Sequence, residues 1–593
     1  MNKYLSFAAC VAISLTVTAC SSNNSDNESV SVNEDTSPDT HSVKSSISFS
    51  GVVAPSTDTE KRSILSEQNV VLDGKTTAIK YNTILRSGDS VGGGTFGLLY
   101  DIDGNPISDE SGEVISNSND FSSLLPVGDK LFMVSHFETR PAAMYLSELE
   151  QDADGKLTAI STKNIDFSEF NGLWVPCAGS VTPWGTHLGS EEYPPDASKV
   201  DSLGSIDPYY DAMGDYVGGD LTKLNPYDYG YVPEITVKED GSYTAVKHYT
   251  LGRYAHELAY VMPDNKTVYA SDDGTNRAFF KFVADTKGDL SSGELFAAKW
   301  TQTSASNGGT ASISWVSLGH ANDAEIKTAL DKKPVFGDIF TTAQRDENNT
   351  CPSGFTASNY DGGNECLQIN EGMEVVASRL ETGRYAGMMG ATTEFNKMEG
   401  ITYNANKHEG YMSISRVEKG MEDYKKYGSA QDSYDEGGTN DIKLDYNKCG
   451  TVFKLNLDDD SYNVTGMEAL ISGVPMEADE SGNTCTLDGI SMPDNLTYVT
   501  ETNTLIIGED TGYHQNDVIW NYNLDTNALT RILTTPYGSE TTSPYFYNDI
   551  NGFSYLMAVV QHPFGESDQD KSLEDSDKFG YTGYVGPMPA IKE

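Results

Sequence analysis

An all-β chain, specifically a six-bladed β-propeller with loop insertions, is the fold the sequence predicts, on three observations. Strand formers dominate, with 34 tyrosines and abundant Thr and Val. Gly, Asn-Gly and Asp-Gly signals cut the chain into short segments, and long amphipathic helical patterns are scarce. A polar spacing recurs while the intervals between its copies vary widely, as blade insertions on a radial repeat would make them.

In chain order, MNKYLSFAACVAISLTVTAC has one lysine, an apolar run from Tyr4 and then Val17-Thr18-Ala19-Cys20. That is the pattern of a bacterial lipoprotein signal over residues 1–19, with Cys20 as the acylated N-terminus. The run is shorter than the ~20 residues a bilayer core needs. Ser21 in place of aspartate resembles outer-membrane sorting, so the chain is expected at the outer membrane and in contact with lipid only through Cys20. Residues 20–55 are rich in Ser, Asn and Asp and too poor in apolar side chains to fold, hence a tether with a reach on the order of 30 Å. Residues 56–593 form the propeller body, expected as a monomer.

Lys+Arg 40 against Asp+Glu 88 leaves a net charge of −48, which repels nucleic acid and anionic membranes. Solubility accounts for most of these acids. Hard cations such as calcium, which takes six to eight oxygen ligands, also want such an excess. Beyond Cys10 and Cys20, five cysteines remain. Cys351 with Cys366 and Cys449 with Cys485 are expected disulfides in an oxidising compartment, which leaves Cys177 over.

Residues 234–252 read as a hairpin turning at Asp240-Gly241, and Asp154-Gly155 turns another. Asp101–Gly104 and Asp152–Gly155 lack the register of a calcium loop and read as turns. GDSVGGGTFG (88–97) lacks the Gly-Lys-Ser/Thr of a phosphate loop, and no G-x-S-x-G elbow precedes a helix.

Six short apolar strands end in acids or histidine: 131–138, 185–192, 267–273, 410–416, 504–510 and 555–562. Another polar residue precedes four of these ends at near-constant distance: Cys177 to Glu191, Glu399 to Ser413 and Asn495 to Glu509 are fourteen apart, Glu257 to Asp272 fifteen. Three units share a following tyrosine, in HELAY, MEGITY and DNLTY. In a propeller such positions converge on one axis, which would bring Cys177, Glu191, Glu192, Glu257, Glu399, Asp494, Asn495, Glu509 and Asp510 together. Converging carboxylates need counter-charge. Metal ions supply it, and a thiolate among them argues for a transition metal beside calcium. His136, His187, His256 and His562 lie near strand ends without zinc spacing and are expected to be structural.

CAGSVTPWGTHLGSEE (177–192), GRYAHE (252–257), Lys397-Met398-Glu399, MPDNL (492–496), GED (508–510) and VVQHPFGE (559–566) together resemble the PhoX-type alkaline phosphatase family, and RSGDSV (86–91) and NPYDYGYVPEI (225–235) fit as well. The resemblance implies a six-bladed propeller whose axial site holds iron and calcium and hydrolyses small-molecule phosphate monoesters. It implies Cys177, Glu257, Glu399 and Asp494 on the iron side and Glu191, Glu192, Glu509 and Asp510 on the calcium side. Lys397 and Asn495 are then expected as catalytic donors to phosphate oxygens. Two features depart from the family. Members often carry arginine where Lys397 stands, and lysine lacks the bidentate fork. Members commonly leave the cytoplasm folded by a twin-arginine route, whereas MNKYLSF has no arginine pair, so metal would load outside the cytoplasm. The residues alone also admit a calcium-dependent propeller hydrolase of lactones or diesters and a non-catalytic calcium-stabilised binding propeller.

Overall fold

Several strands are buried along nearly their whole length, the pattern of sheets covered on both faces. In Lys130–Phe137, for example, every side chain after the lysine is buried. The computed structural model describes residues 45–199, 208–431, 433–565 and 573–591. Among these the chain is mostly β, and its strands form six antiparallel meanders. The first comprises Asn119–Val127, Lys130–Phe137, Ala143–Gln151 and Leu157–Asn164. The second comprises Ser180–Val181, His187–Leu188, Val232–Val237 and Tyr243–His248. The third runs His256–Val261, Thr267–Asp272, Phe280–Thr286 and Asp289–Ser304. The fourth runs Met398–Asn404, Glu409–Ile414, Thr451–Leu457 and Val464–Ser472. The fifth runs Pro493–Val499, Thr504–Glu509, Val518–Asn523 and Ala528–Thr534. The sixth takes Glu540–Ile550, Phe553–Gln561 and Tyr581–Pro589, and its fourth strand is Lys80–Arg86 from the other end of the chain. Thr310–Asn322 pairs with both the third and the fourth meander and fuses them into one nine-stranded sheet.

The apolar cores lie between consecutive meanders. Phe132, Val134 and Leu146 of the first pack with Ile235 and Val237 of the second. Leu188 and Val232 pack with Val268 and Phe280, and Tyr269 and Trp300 with Met412 and Phe453. Tyr411 and Val452 meet Leu505 and Trp520, Ile506 and Ile519 meet Leu556 and Ala558, and Met557 and Tyr584 meet Leu124 and Tyr145. The sixth meander thus packs back on the first. A cavity of about 100 Å³ is lined by one or more residues from the first strand of every meander: Phe121, Ser180, Tyr260, Thr402, Tyr498 and Tyr545.

Cys351–Cys366 and Cys449–Cys485 are bonded and Cys177 is free, as expected. The first disulfide belongs to an insertion between the third and fourth meanders that carries the helices Asp323–Leu330, Glu374–Leu380 and Thr382–Met388. Asn322 caps the first of these by accepting from Glu325 N at 2.9 Å. Asp240-Gly241 turns the Val232–Val237/Tyr243–His248 hairpin, and GDSVGGGTFG is itself a tight hairpin, Ser90–Val91 against Gly94–Thr95. Of the stretch expected as a tether, Ile47–Phe49 is a strand paired with Asn69–Leu72, so ordered chain begins ahead of residue 56. The expected signal and Cys20 lie outside the described residues.

Candidate metal centre

Four first strands open with the same irregularity. Register shifts fall between Asn119 and Ser122, His256 and Ala259, Met398 and Ile401, and Pro493 and Leu496. A β-bulge leaves an extra residue out of the ladder and re-aims its side chain. The residue just inside each shift is an acid: Asp120, Glu257, Glu399 and Asp494. Cys177 stands just ahead of the second meander's first strand, and Glu540 opens the sixth.

These side chains converge. Ligand atoms of Asp120, Glu138 and Cys177 all lie within 4.8 Å of one another, as do those of Cys177, Glu192 and Glu257, and those of Glu257, Glu399 and Asp494. Cys177 and Glu257 each belong to two groups, so the three form one continuous cluster. Of the expected ligands, Cys177, Glu192, Glu257, Glu399 and Asp494 are brought together, and Asp510 acts electrostatically on Asp494 and Glu399.

Glu191 and Glu509, expected beside them, lie outside the three groups. Glu191 accepts from Trp174 N (2.9 Å), Lys247 Nζ (2.8 Å), Gly230 N (3.0 Å) and Tyr231 N (3.1 Å). Glu509 accepts from Ser491 N (2.8 Å), Trp520 Nε1 (2.7 Å), Val518 N (3.2 Å) and faces His514 Nδ1 at 2.9 Å. Both oxygens of each carboxylate face N–H donors, which leaves no lone pairs for a cation. The reason is strand periodicity. Successive side chains point to opposite faces, so in Glu191-Glu192, Asp272-Asp273 and Glu509-Asp510 the first acid turns into its own meander and the second toward the cluster. Asp272 shows the same turn, accepting from Ala255 N and Tyr360 OH, both at 3.2 Å.

Removing Lys247 tests this reading of Glu191. Both partners are fully buried, so Lys247→Met should cost about 3–5 kcal/mol in urea unfolding by stranding a carboxylate. A cost below about 1 kcal/mol would mean that Glu191 does not depend on this ammonium.

The cluster is strongly self-repelling. Burial first, and then Glu399, Asp120 and Asp273, hold the Glu257 carboxyl well above its ordinary range. Burial with Glu257 and Glu399 does the same to Asp494, and burial with Asp273 and Glu257 to Glu192. Asp120 is raised by burial, Glu138 and Glu540, and the Cys177 thiol by burial, Asp120 and Glu257. Glu399 is pushed up to about 8, by burial and then Asp273. Glu540 also reaches about 8, by burial and then Asp510.

Lys397 reaches into these charges. Its backbone is left-handed (φ 50°), and its ammonium bonds Asp273, lies 3.2 Å from Tyr193 OH and 3.4 Å from Glu399 Oε1. Burial alone would lower its pKa, but Asp273 and Glu399 overcome that and raise it. Asn495 lies beneath the cluster: Nδ2 donates to Asp494 (3.0 Å) and Glu257 (3.3 Å), and Oδ1 accepts from Ser543 N (2.6 Å). Sequence reasoning missed Asp120, Glu138, Asp273, Glu540 and Tyr193. A signal existed: Glu257 to Asp273, Glu399 to Ser415 and Asp494 to Asp510 are each sixteen apart, the spacing of the cluster-facing positions. His136, His187 and His256 are buried and held neutral, His256 and His187 at about 3, by burial.

A cleft of about 470 Å³ adjoins the cluster and shares Glu138 and Tyr193 with it.

The sequence profile described as "Alkaline phosphatase PhoX" matches residues 152–563. Pseudomonas fluorescens PhoX, solved in complex with vanadate, a transition state analogue, superposes with a TM-score of 0.60 at 16% identity, covering 92% of this chain and 99% of that one. The periplasmic gluconolactonase PpgL of Pseudomonas aeruginosa (TM-score 0.30, 10% identity, 86% and 98% covered) and the sialidase of Trypanosoma rangeli (0.32, 9%, 86% and 58%) are more distant. No curated relative matches the sequence.

Proposed function

The chain belongs to the PhoX family of alkaline phosphatases, and on that basis we propose that it hydrolyses phosphate monoesters at an acid-and-thiol metal centre on the axis of a six-bladed propeller, releasing inorganic phosphate outside the cytoplasm. The observation that carries the site is the single cluster of Cys177, Glu192, Glu257, Glu399, Asp494, Asp120 and Glu138, drawn from five of the six meanders. The propeller reading is supported by cores that follow one another from meander to meander and return to the first, and by the cavity lined from all six first strands.

The residues fit cations. Buried carboxylates that repel one another this strongly are stable only when protonated or bound to positive charge. Sulfur at Cys177 suits iron, and the family likeness puts Glu257, Glu399 and Asp494 on that side with it; by donor type alone the all-oxygen group of Glu257, Glu399 and Asp494 also suits calcium, and Glu192, expected on the calcium side, groups with Cys177. When bound, such ions supply Lewis acidity toward phosphoryl oxygens and lower the pKa of an attacking water. This chain's residues do the rest. Lys397, anchored by Asp273 and Tyr193, offers a donor to a phosphoryl oxygen. Asn495, expected as a second donor to phosphate, directs its Nδ2 to the carboxylates of Asp494 and Glu257 and positions them. With cations bound, the centre would also give a phosphate anion a positive target on a protein of net charge −48. That vanadate binds the P. fluorescens protein is in keeping with phosphoryl transfer. Attachment to the outer membrane through Cys20 is part of the proposal and rests on the signal-like N-terminus.

Elemental analysis of the full chain, paired with phosphate release from an aryl phosphate, is the test. Iron and calcium with turnover are expected, and Cys177→Ala should lose iron and any visible thiolate-to-metal colour together with activity. Metal-loaded protein that releases no phosphate from any monoester would overturn the reading.

A further inference from the structure

The cleft beside the centre carries two buried donors that make no hydrogen bond. Tyr254 lines it, is 2% exposed, and stacks on Phe280 at 4.1 Å, yet its buried hydroxyl has no hydrogen-bond partner. Arg277 also lines it. Its Nη1 donates to Tyr360 OH at 2.8 Å and its Nη2 pairs with Asp361 at 3.1 Å, while the buried Nε lies 3.9 Å from Asp272 Oδ1, beyond hydrogen-bond reach, and makes no hydrogen bond. Buried polar groups are almost always satisfied, so orphaned donors at a cleft point to a ligand that supplies acceptors. Where the cleft meets the metal centre stands Tyr193, 37% exposed and in the left-handed region (φ 43°), a conformation a bulky residue rarely holds. Its hydroxyl is tied to Lys397 and Asp273, which leaves its ring to the cleft.

We propose that this cleft is the leaving-group subsite and that it selects phosphate monoesters of nucleosides. The inference rests on the phosphatase reading above. A volume of about 470 Å³ lies within the range of small-molecule sites. The exposed Tyr193 ring offers a stacking face for a base. Tyr254 OH and Arg277 Nε offer donors for its ring nitrogens or the ribose oxygens, where a plain aryl group offers none.

Tyr254→Phe removes one oxygen that bonds nothing in the protein, so folding is preserved, which a thermal melt within about 2 °C of the parent confirms. On adenosine 5′-monophosphate, kcat/KM should fall about tenfold, and on phenyl phosphate by less than twofold. An equal fall on both esters, or no fall on either, overturns the subsite while leaving the phosphatase reading intact. A parent protein that turns over neither ester brings down both.

Discussion

Glu257→Gln should lower kcat/KM on an aryl phosphate by a factor on the order of a thousand or more and at the same time stabilise the metal-free protein. Glu257 belongs to two of the three ligand groups and joins the sulfur-bearing part of the cluster to the all-oxygen part. Its amide isostere keeps the volume and can still accept from Asn495 Nδ2, 3.3 Å away. What it loses is the charge that holds cations. A bound metal contributes several kcal/mol of transition-state stabilisation, and each ~1.4 kcal/mol is tenfold in rate. The opposite sign in the metal-free state follows from the same charge. Burial, Glu399, Asp120 and Asp273 all press the Glu257 carboxyl toward neutrality, and the amide is neutral already. Steady-state rates, metal content and melting of the chelated protein report the three effects. Activity within tenfold of the parent would remove Glu257 from the centre.

The contrast between Glu257 and Glu191 shows how much of the site could be seen in sequence. Strand alternation, turn residues and the recurrence of polar strand ends were legible, and they lead to the right six strand ends: each is the second strand of one meander. What composition cannot show is the bulge. The ladder beyond each bulge runs in a register that would set Glu257 opposite Asp272 and Asp494 opposite Glu509, fifteen apart, whereas the partners that face the cluster, Asp273 and Asp510, lie one residue further on the other face, sixteen apart. That one step exchanges Glu509 for Asp510 and Asp272 for Asp273 as the inward acid. It also explains why adjacent acid pairs recur: one member bonds within its surroundings and the other faces the cluster. Asp120 and Glu540 were illegible for another reason. Their partners Glu138 and His562 lie across longer hairpins, eighteen and twenty-two residues away, so no constant spacing marks them. The two disulfides were readable because Gly, Pro and Asn let the Cys351–Cys366 loop close and because Cys449 and Cys485 sit near the ends of a second insertion. Tyr193 was not, because its role depends on Lys397 and Asp273, both distant in the chain.

Stripped of metal by a chelator, the protein should become less stable as pH rises from 5 to 8, and reloading it should abolish most of that slope. Glu399 and Glu540 sit at about 8 in the folded chain against an ordinary 4.5. Between those values the native state holds protons that the unfolded chain has released. Stability therefore falls with pH, because the slope of unfolding free energy follows protons bound in the unfolded state minus those bound in the native one. The contribution is complete below about 4.5 and lost as pH passes through about 8. Asp120, Glu192, Glu257 and Asp494 are raised in the same direction and add to it. Asp273 is lowered, since Lys397 outweighs its burial, and opposes it in part. Below the window a different set takes over: carboxylates such as Asp196, held low by Arg384 against its burial, lose their pairing in acid. Two groups shifted by several units each imply a loss on the order of several kcal/mol across the window. Cations change the sign of the local field, so in the loaded protein the same carboxylates stay ionised from pH 5 upward and the melting temperature should vary little. The gap between loaded and stripped protein should accordingly be widest at pH 8 and narrow toward pH 5, read by calorimetry at matched ionic strength. A stripped protein whose stability is flat or rises over this range would mean that these acids are not the uncompensated cluster their geometry describes, and the case for cations at the axis would go with it.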